Sequence, residues 1–216
     1  MKTTEKELNE QESLRLITDM ITQAKERFQQ KNGNGIIFWG YAIMVLALAD
    51  FVLLQTLEEE SRRYAFLVWA CVLPLFAVHY FLEARKVRHG AYAANHLDKV
   101  IGQTWMALLI TAMIFVAASF ILAGVFRESH GWIIFLLINP AIMSITGLSL
   151  FLNGKICRFR PFMYGAIVFW AGALISALIM MAWNMLSLQF LVLATCMIFG
   201  FIIPGHILNR EAKQYV

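Results

Sequence analysis

Residues 162–183 read FMYGAIVFWAGALISALIMMAW, a run without one charged side chain. At 1.5 Å of rise per residue, a helix of this length reaches roughly 33 Å, enough to cross about 30 Å of hydrocarbon. Five further apolar runs of similar length occupy residues 36–55, 65–82, 104–126, 132–152 and 186–208. None alternates polar with apolar as a lipid-facing barrel strand does. The chain is 60% hydrophobic, against roughly 45 to 50% in soluble domains. These runs predict an all-α integral membrane bundle of six transmembrane helices. With most of the 216 residues used in crossing, little is left for a separate soluble domain.

The polar pieces between the runs set the orientation. Alternate pieces carry Lys2, Lys6, Arg15, Lys25, Arg27 and Lys31, then Arg85, Lys86, Arg88 and Lys99, then Lys155, Arg158 and Arg160, and finally Arg210 and Lys213. The intervening pieces hold only Arg62, Arg63 and Arg127. Basic residues concentrate in cytoplasmic loops, so both termini are expected in the cytoplasm, and the expected location is a bacterial inner membrane. The net charge of +4 is spread over short segments beside the bilayer. Orientation and attraction to anionic lipid headgroups account for it, and direct nucleic-acid binding is not expected. The first 35 residues lack the apolar core of a cleavable signal peptide. Cys71 and Cys196 fall in apolar runs and Cys157 in a cytoplasmic piece, so no structural disulfide is expected.

Before the first run, Leu14, Ile17, Ile21, Ala24 and Phe28 recur at steps of three and four, with Glu12, Arg15, Asp19, Lys25 and Glu26 on other faces. This spacing predicts an amphipathic cytoplasmic helix, with Thr4 and Glu7 fitting a capping box at its start. Asn32, Gly33, Asn34 and Gly35 predict a break, dividing a 1–35 cytoplasmic helix and linker from a 36–216 transmembrane domain. The stripe has two readings. It lies in the headgroup layer or on the protein's own cytoplasmic face, or it docks a second copy of the chain or a cytosolic partner. The outer connections are short and favour antiparallel hairpins. Each even-numbered run holds one proline, Pro74, Pro140 or Pro204, which permits a threefold hairpin repeat; kinks that help helices pack are the favoured explanation.

A polar group in hydrocarbon needs a partner or a use. The topology puts Asp50, Ser119, Asn139 and Gln189 at one outer level, on four different helices. They are the candidate ligand-binding residues, with hydrogen bonding between helices as the alternative. His79 and His206 lie near the cytoplasmic ends of the second and sixth runs, a weak pair for a metal or haem. No cofactor is expected. GxSxG, HExxH and Walker A motifs are absent, and no catalytic residue is assigned. Gly172 with Ser176, and Ala173 with Ala177, recur four apart and predict close helix packing.

Glu12-Ser13-Leu14-Arg15-Leu16-Ile17, then Met20-Ile21, Ala24-Lys25 and Phe38-Trp39-Gly40, resemble the opening of an uncharacterised six-span membrane protein family common in Bacteroidetes. Phe201-Ile202-Ile203-Pro204-Gly205 followed by Ile207-Leu208-Asn209 is similar to that family's ending. Members are often encoded beside a winged-helix regulator, so the resemblance implies a regulatory partnership. The leading expectation is a non-enzymatic membrane or envelope sensor that contacts a cytosolic regulatory protein through the stripe at Leu14, Ile17, Ile21 and Phe28. The alternative is a small transporter or a lipid- or small-molecule-binding protein using the outer polar level.

Overall fold

No proline precedes Pro74, and the polar stripe and the first apolar run prove to be one element: α1 runs from Glu10 to Thr56, 47 residues. The computed structural model describes residues 10–58, 60–88, 96–125, 131–183 and 186–213. The expected break at Asn32, Gly33, Asn34 and Gly35 does not occur. Glycine weakens a helix without forbidding it, and here the glycine serves close packing. A side chain on Gly33 would collide with the Asn209 carboxamide, and would come within 3.2 Å of the Gly205 carbonyl. The capping pair Thr4 and Glu7 lies outside the described residues, as do the side chains of Leu14, Ile17, Ile21 and Phe28. Their backbone continues α1.

The second crossing opens as a 3-10 helix, Arg62–Cys71, and becomes α2, Val72–Arg88. Pro74 has no N–H to return to the Ala70 carbonyl, which favours a tighter pattern just before it. Val72 N–H accordingly bonds the Trp69 carbonyl three residues back. The third crossing is α3, His96–Val125, the fourth α4, Gly131–Ile156, and the fifth α5, Arg160–Trp183. The sixth combines α6, Leu186–Met197, a π-helical turn, Ile198–Ile202, and α7, Ile203–Lys213. In the π turn Ile203 N–H reaches the Ile198 carbonyl five residues back. The widened turn absorbs the donor that Pro204 lacks. Thus six helical stretches are long and apolar enough to cross a membrane, and no strand occurs among the described residues.

The three prolines occupy different settings, which argues against a threefold repeat. Pro74 is exposed near a 3-10 junction, Pro140 is buried inside α4, and Pro204 is buried behind the π turn. Between α4 and α5 the chain reverses within Cys157, Arg158 and Phe159. Phe159 N–H bonds the Gly154 carbonyl at 2.9 Å, and Arg158 takes a left-handed φ of 52°. This is a Schellman ending with arginine where glycine is usual.

Packing follows an order unlike the sequence. α1 lies along α6, the π turn and α7. α5 packs on α6 and on α4, α3 packs on α4, and the 3-10 helix packs on α1. The first and sixth crossings are therefore neighbours near the centre, with the second and third on the flanks. Only 6% of the second and of the third span is buried, against 50% of the fourth and sixth. Lipid is no less apolar than leucine, so close backbone approach must hold the centre together. α5 and the π turn show it: a Cβ on Gly165 would stand 2.9 Å from the Gly200 Cα. Gly172 likewise leaves room for Cys196 and Met143, and Ser176 is buried with it. Of the alanine pair, Ala173 is buried and Ala177 is exposed.

Candidate functional site

The carboxyl of Asp50, near the Thr56 end of α1, is completely buried. The 3-10 helix brings Trp69 beside it, and the indole Nε1–H donates to Asp50 Oδ2 at 2.6 Å. Trp69 and Phe66 both pack on Phe190 of α6, with ring centroids 5.9 and 6.2 Å apart. The carboxyl therefore sits at the junction of the first, second and sixth crossings. Its second oxygen, Oδ1, is buried and has no hydrogen-bond partner among the described residues. An ionised aspartate costs roughly 2.5 to 3.5 kcal/mol at a helix centre on insertion scales and less toward the outer level expected for Asp50, and a single indole donor offsets only part of the cost of burying it. Arg62, the described cation nearest in sequence, is exposed and directs its Nε–H to the Leu57 carbonyl at 3.4 Å.

The other candidates separate into two groups. Asn139 and Gln189 come together: the Asn139 carboxamide donates to the Gln189 main-chain carbonyl at 3.0 Å. Gln189 Nε2–H in turn donates to the Ser176 carbonyl at 3.3 Å, and the Ser176 hydroxyl points at Met143 Sδ, 3.6 Å away. These bonds tie α4, α5 and α6 into one buried polar seam. Ser119 does not join it. Although buried, its hydroxyl donates within α3 to the Phe115 carbonyl at 2.8 Å. Serine returning its hydroxyl to the preceding turn meets its hydrogen-bonding need without a partner helix.

Trp69, Gln55 and Ser187 belong to the same region and were not singled out in the sequence. Gln55 Nε2–H donates to the Ser187 hydroxyl at 2.9 Å, joining the first and sixth crossings beyond Asp50. A tryptophan early in the second run was the available signal, because an intramembrane indole N–H also needs an acceptor.

At the opposite ends of these helices the histidines are packing groups. His79 stacks on Phe38, with centroids 5.2 Å apart and planes 9° from parallel, and meets Trp39 edge-on at 5.8 Å. His206 meets Tyr41 edge-on at 6.5 Å. The two imidazoles thus dock on different rings of α1. No cluster of three or more potential metal-ligating side chains occurs among the described residues. Beside them Asn209 Nδ2–H donates to Asn34 Oδ1 at 2.7 Å, pinning α7 to α1 next to the Gly33 contact.

The fold and its buried carboxyl define the protein as a multi-pass α-helical membrane protein with an acid at a three-span junction. No family model, no curated protein and no solved structure matches the chain.

Proposed function

We propose that the protein is a non-enzymatic membrane sensor, seated in a bacterial inner membrane with both termini cytoplasmic, that signals to a cytosolic regulatory protein. The observation that carries this reading is the continuity of α1. One helix, about 70 Å long at 1.5 Å per residue, contains both the amphipathic stripe and Asp50. A rigid rod transmits a shift at one end to the other, whereas a flexible linker would absorb it. The resemblance to membrane proteins encoded beside winged-helix regulators supports a partner of that kind. The orientation rests on the distribution of lysine and arginine.

Photo-crosslinkers placed at Leu14, Ile17, Ile21 and Phe28 test the contact. Adducts to one cytosolic protein should form from these positions and not from Glu12 or Asp19, and deleting residues 12–29 should abolish co-purification of that protein without preventing insertion. Four glycines inserted after Lys31 should preserve capture while ending its response to substitutions at Asp50. Adducts of equal yield from every face, or capture that survives the deletion, would sink the reading.

The second reading, a small transporter or small-molecule-binding protein, draws on Asp50 Oδ1, an acceptor without a donor among the described residues. It predicts liposome flux or a co-purified ligand that Asp50→Asn abolishes.

A further inference from the structure

We infer that Asp50 is an exchangeable proton-binding site, and that the proton it holds keeps the first crossing packed against the 3-10 half of the second. This deepens the sensor reading and rests on it, naming the signal as the proton.

The geometry restricts what Asp50 can bind. Its side chain is completely buried, one oxygen accepts from Trp69, and the other meets no donor among the described residues. A proton is the one cation that needs no cavity, no coordination shell and no path wide enough for a molecule. Taken from water, it forms an O–H bond at Oδ1 and leaves a neutral acid, while Oδ2 continues to accept from the indole. Among the described side chains, no charged group substitutes for it. From the 3-10 helix the described titratable side chains are Arg62, already directed at the Leu57 carbonyl, and Tyr64 and Cys71, both exposed. From α6 the titratable side chain is Cys196, buried against the Val168 carbonyl on the α5 side. α1 supplies no second ionisable group between Tyr41 and Thr56 apart from Asp50 itself.

The element touching the acid is suited to respond. A 3-10 run of 10 residues is unusually long, and such runs often mark hinges or strained sequence. Loss of the proton leaves a carboxylate that one donor cannot satisfy, so the ionised form favours parting α1 from the 3-10 helix and admitting water. Proton binding closes the seam; proton loss opens it.

Infrared spectroscopy of the full chain in lipid, titrated from about pH 5 to about pH 9, reads the proton directly. The expected result is the carbonyl stretch of a protonated carboxylic acid at low pH that fades as pH rises and is absent from Asp50→Asn. Trp69→Phe retains the acid and removes its donor, so it should displace the band and move its midpoint by about one pH unit, the equivalent of one hydrogen bond to a charged group. If Asp50→Asn does not fold, Trp69→Phe carries the assignment. No band at any pH, a band constant across the range, or a Trp69→Phe spectrum identical to wild type would overturn the inference. Failure here beside intact, stripe-dependent crosslinking overturns only the proton site. A clean titration beside crosslinking from every face overturns only the sensor reading.

Discussion

Asp50 and Trp69 divide one requirement between two crossings: an acid that needs a donor and an indole that needs an acceptor, both in a medium without water. Asp50 was legible in the sequence because an aspartate inside an apolar run is costly wherever it points. Trp69 was less legible, since tryptophan is also common at membrane interfaces and its polar atom is small. Asn139 and Gln189, expected at one level from counting residues along the runs, lie within hydrogen-bond reach of each other. Ser119, expected at the same level, does not join the seam, because depth says nothing of direction and serine can satisfy itself within its own helix. Cys157, in the turn between α4 and α5, shows the opposite kind of residue, one made inert by its surroundings. Burial pushes its thiol up to about 12. A raised acid of this kind contributes stability that is fully present below the ordinary thiol value, about 8.5, and is lost as pH rises through about 12. At pH about 8 a water-soluble maleimide should modify Cys157 on the order of a hundred- to a thousandfold more slowly than a free thiol, with modification accelerating as pH rises further. Mass spectrometry of the 157-containing peptide checks this; a rate equal to that of a model thiol would contradict it.

Individual helices departed from expectation where glycine was read as a break and where the prolines were read as a repeating set. Gly33 lies inside an uninterrupted α1, because the missing Cβ makes room for Asn209 and helical hydrogen bonds need only the backbone. Pro74, Pro140 and Pro204 all sit inside apolar runs, yet one follows a 3-10 stretch, one an ordinary α turn and one a π turn. Sequence identifies the missing N–H and leaves open how the neighbouring carbonyl is accommodated, since packing decides between tightening and widening. Of the small residues four apart, one pair met expectation in full and the other by half, since Ala173 is buried and Ala177 exposed. Gly172 and Ser176 face the centre as expected, and Gly165 forms the tightest backbone approach between α5 and the π turn. Gly165→Leu should therefore push these elements apart and destabilise the folded protein by at least about 1 to 3 kcal/mol, the usual penalty of overpacking. Thermal unfolding in detergent should show the loss, while the same change at Gly102, which has open space around its Cα, should have little effect.

For the molecule as a whole, the apolar runs were enough to specify six crossings, whereas the neighbour order was not legible. Hairpin logic pairs helices that adjoin in sequence, and nothing in the apolar composition of the first and sixth runs reveals that they adjoin in space. A fluorescent protein fused to the C-terminus should fluoresce, and alkaline phosphatase fused after Leu57 should be active, if both termini face the cytoplasm. Reversed activities would invert the orientation. The adjacency of the first and sixth crossings also orders events at the ribosome. Of these six crossings α1 is made before the others, but the helix that covers its Gly33, Gly40 and Asn34 positions is made after them. At about 5 to 20 residues per second, the interval is on the order of ten seconds. During that time the buried face of α1, with its acid, must be sheltered by lipid, by the insertion machinery or by the second crossing alone. Where the second crossing provides that shelter, the newborn chain passes through an intermediate in which Asp50 already holds Trp69, its one donor among the described residues of the finished fold.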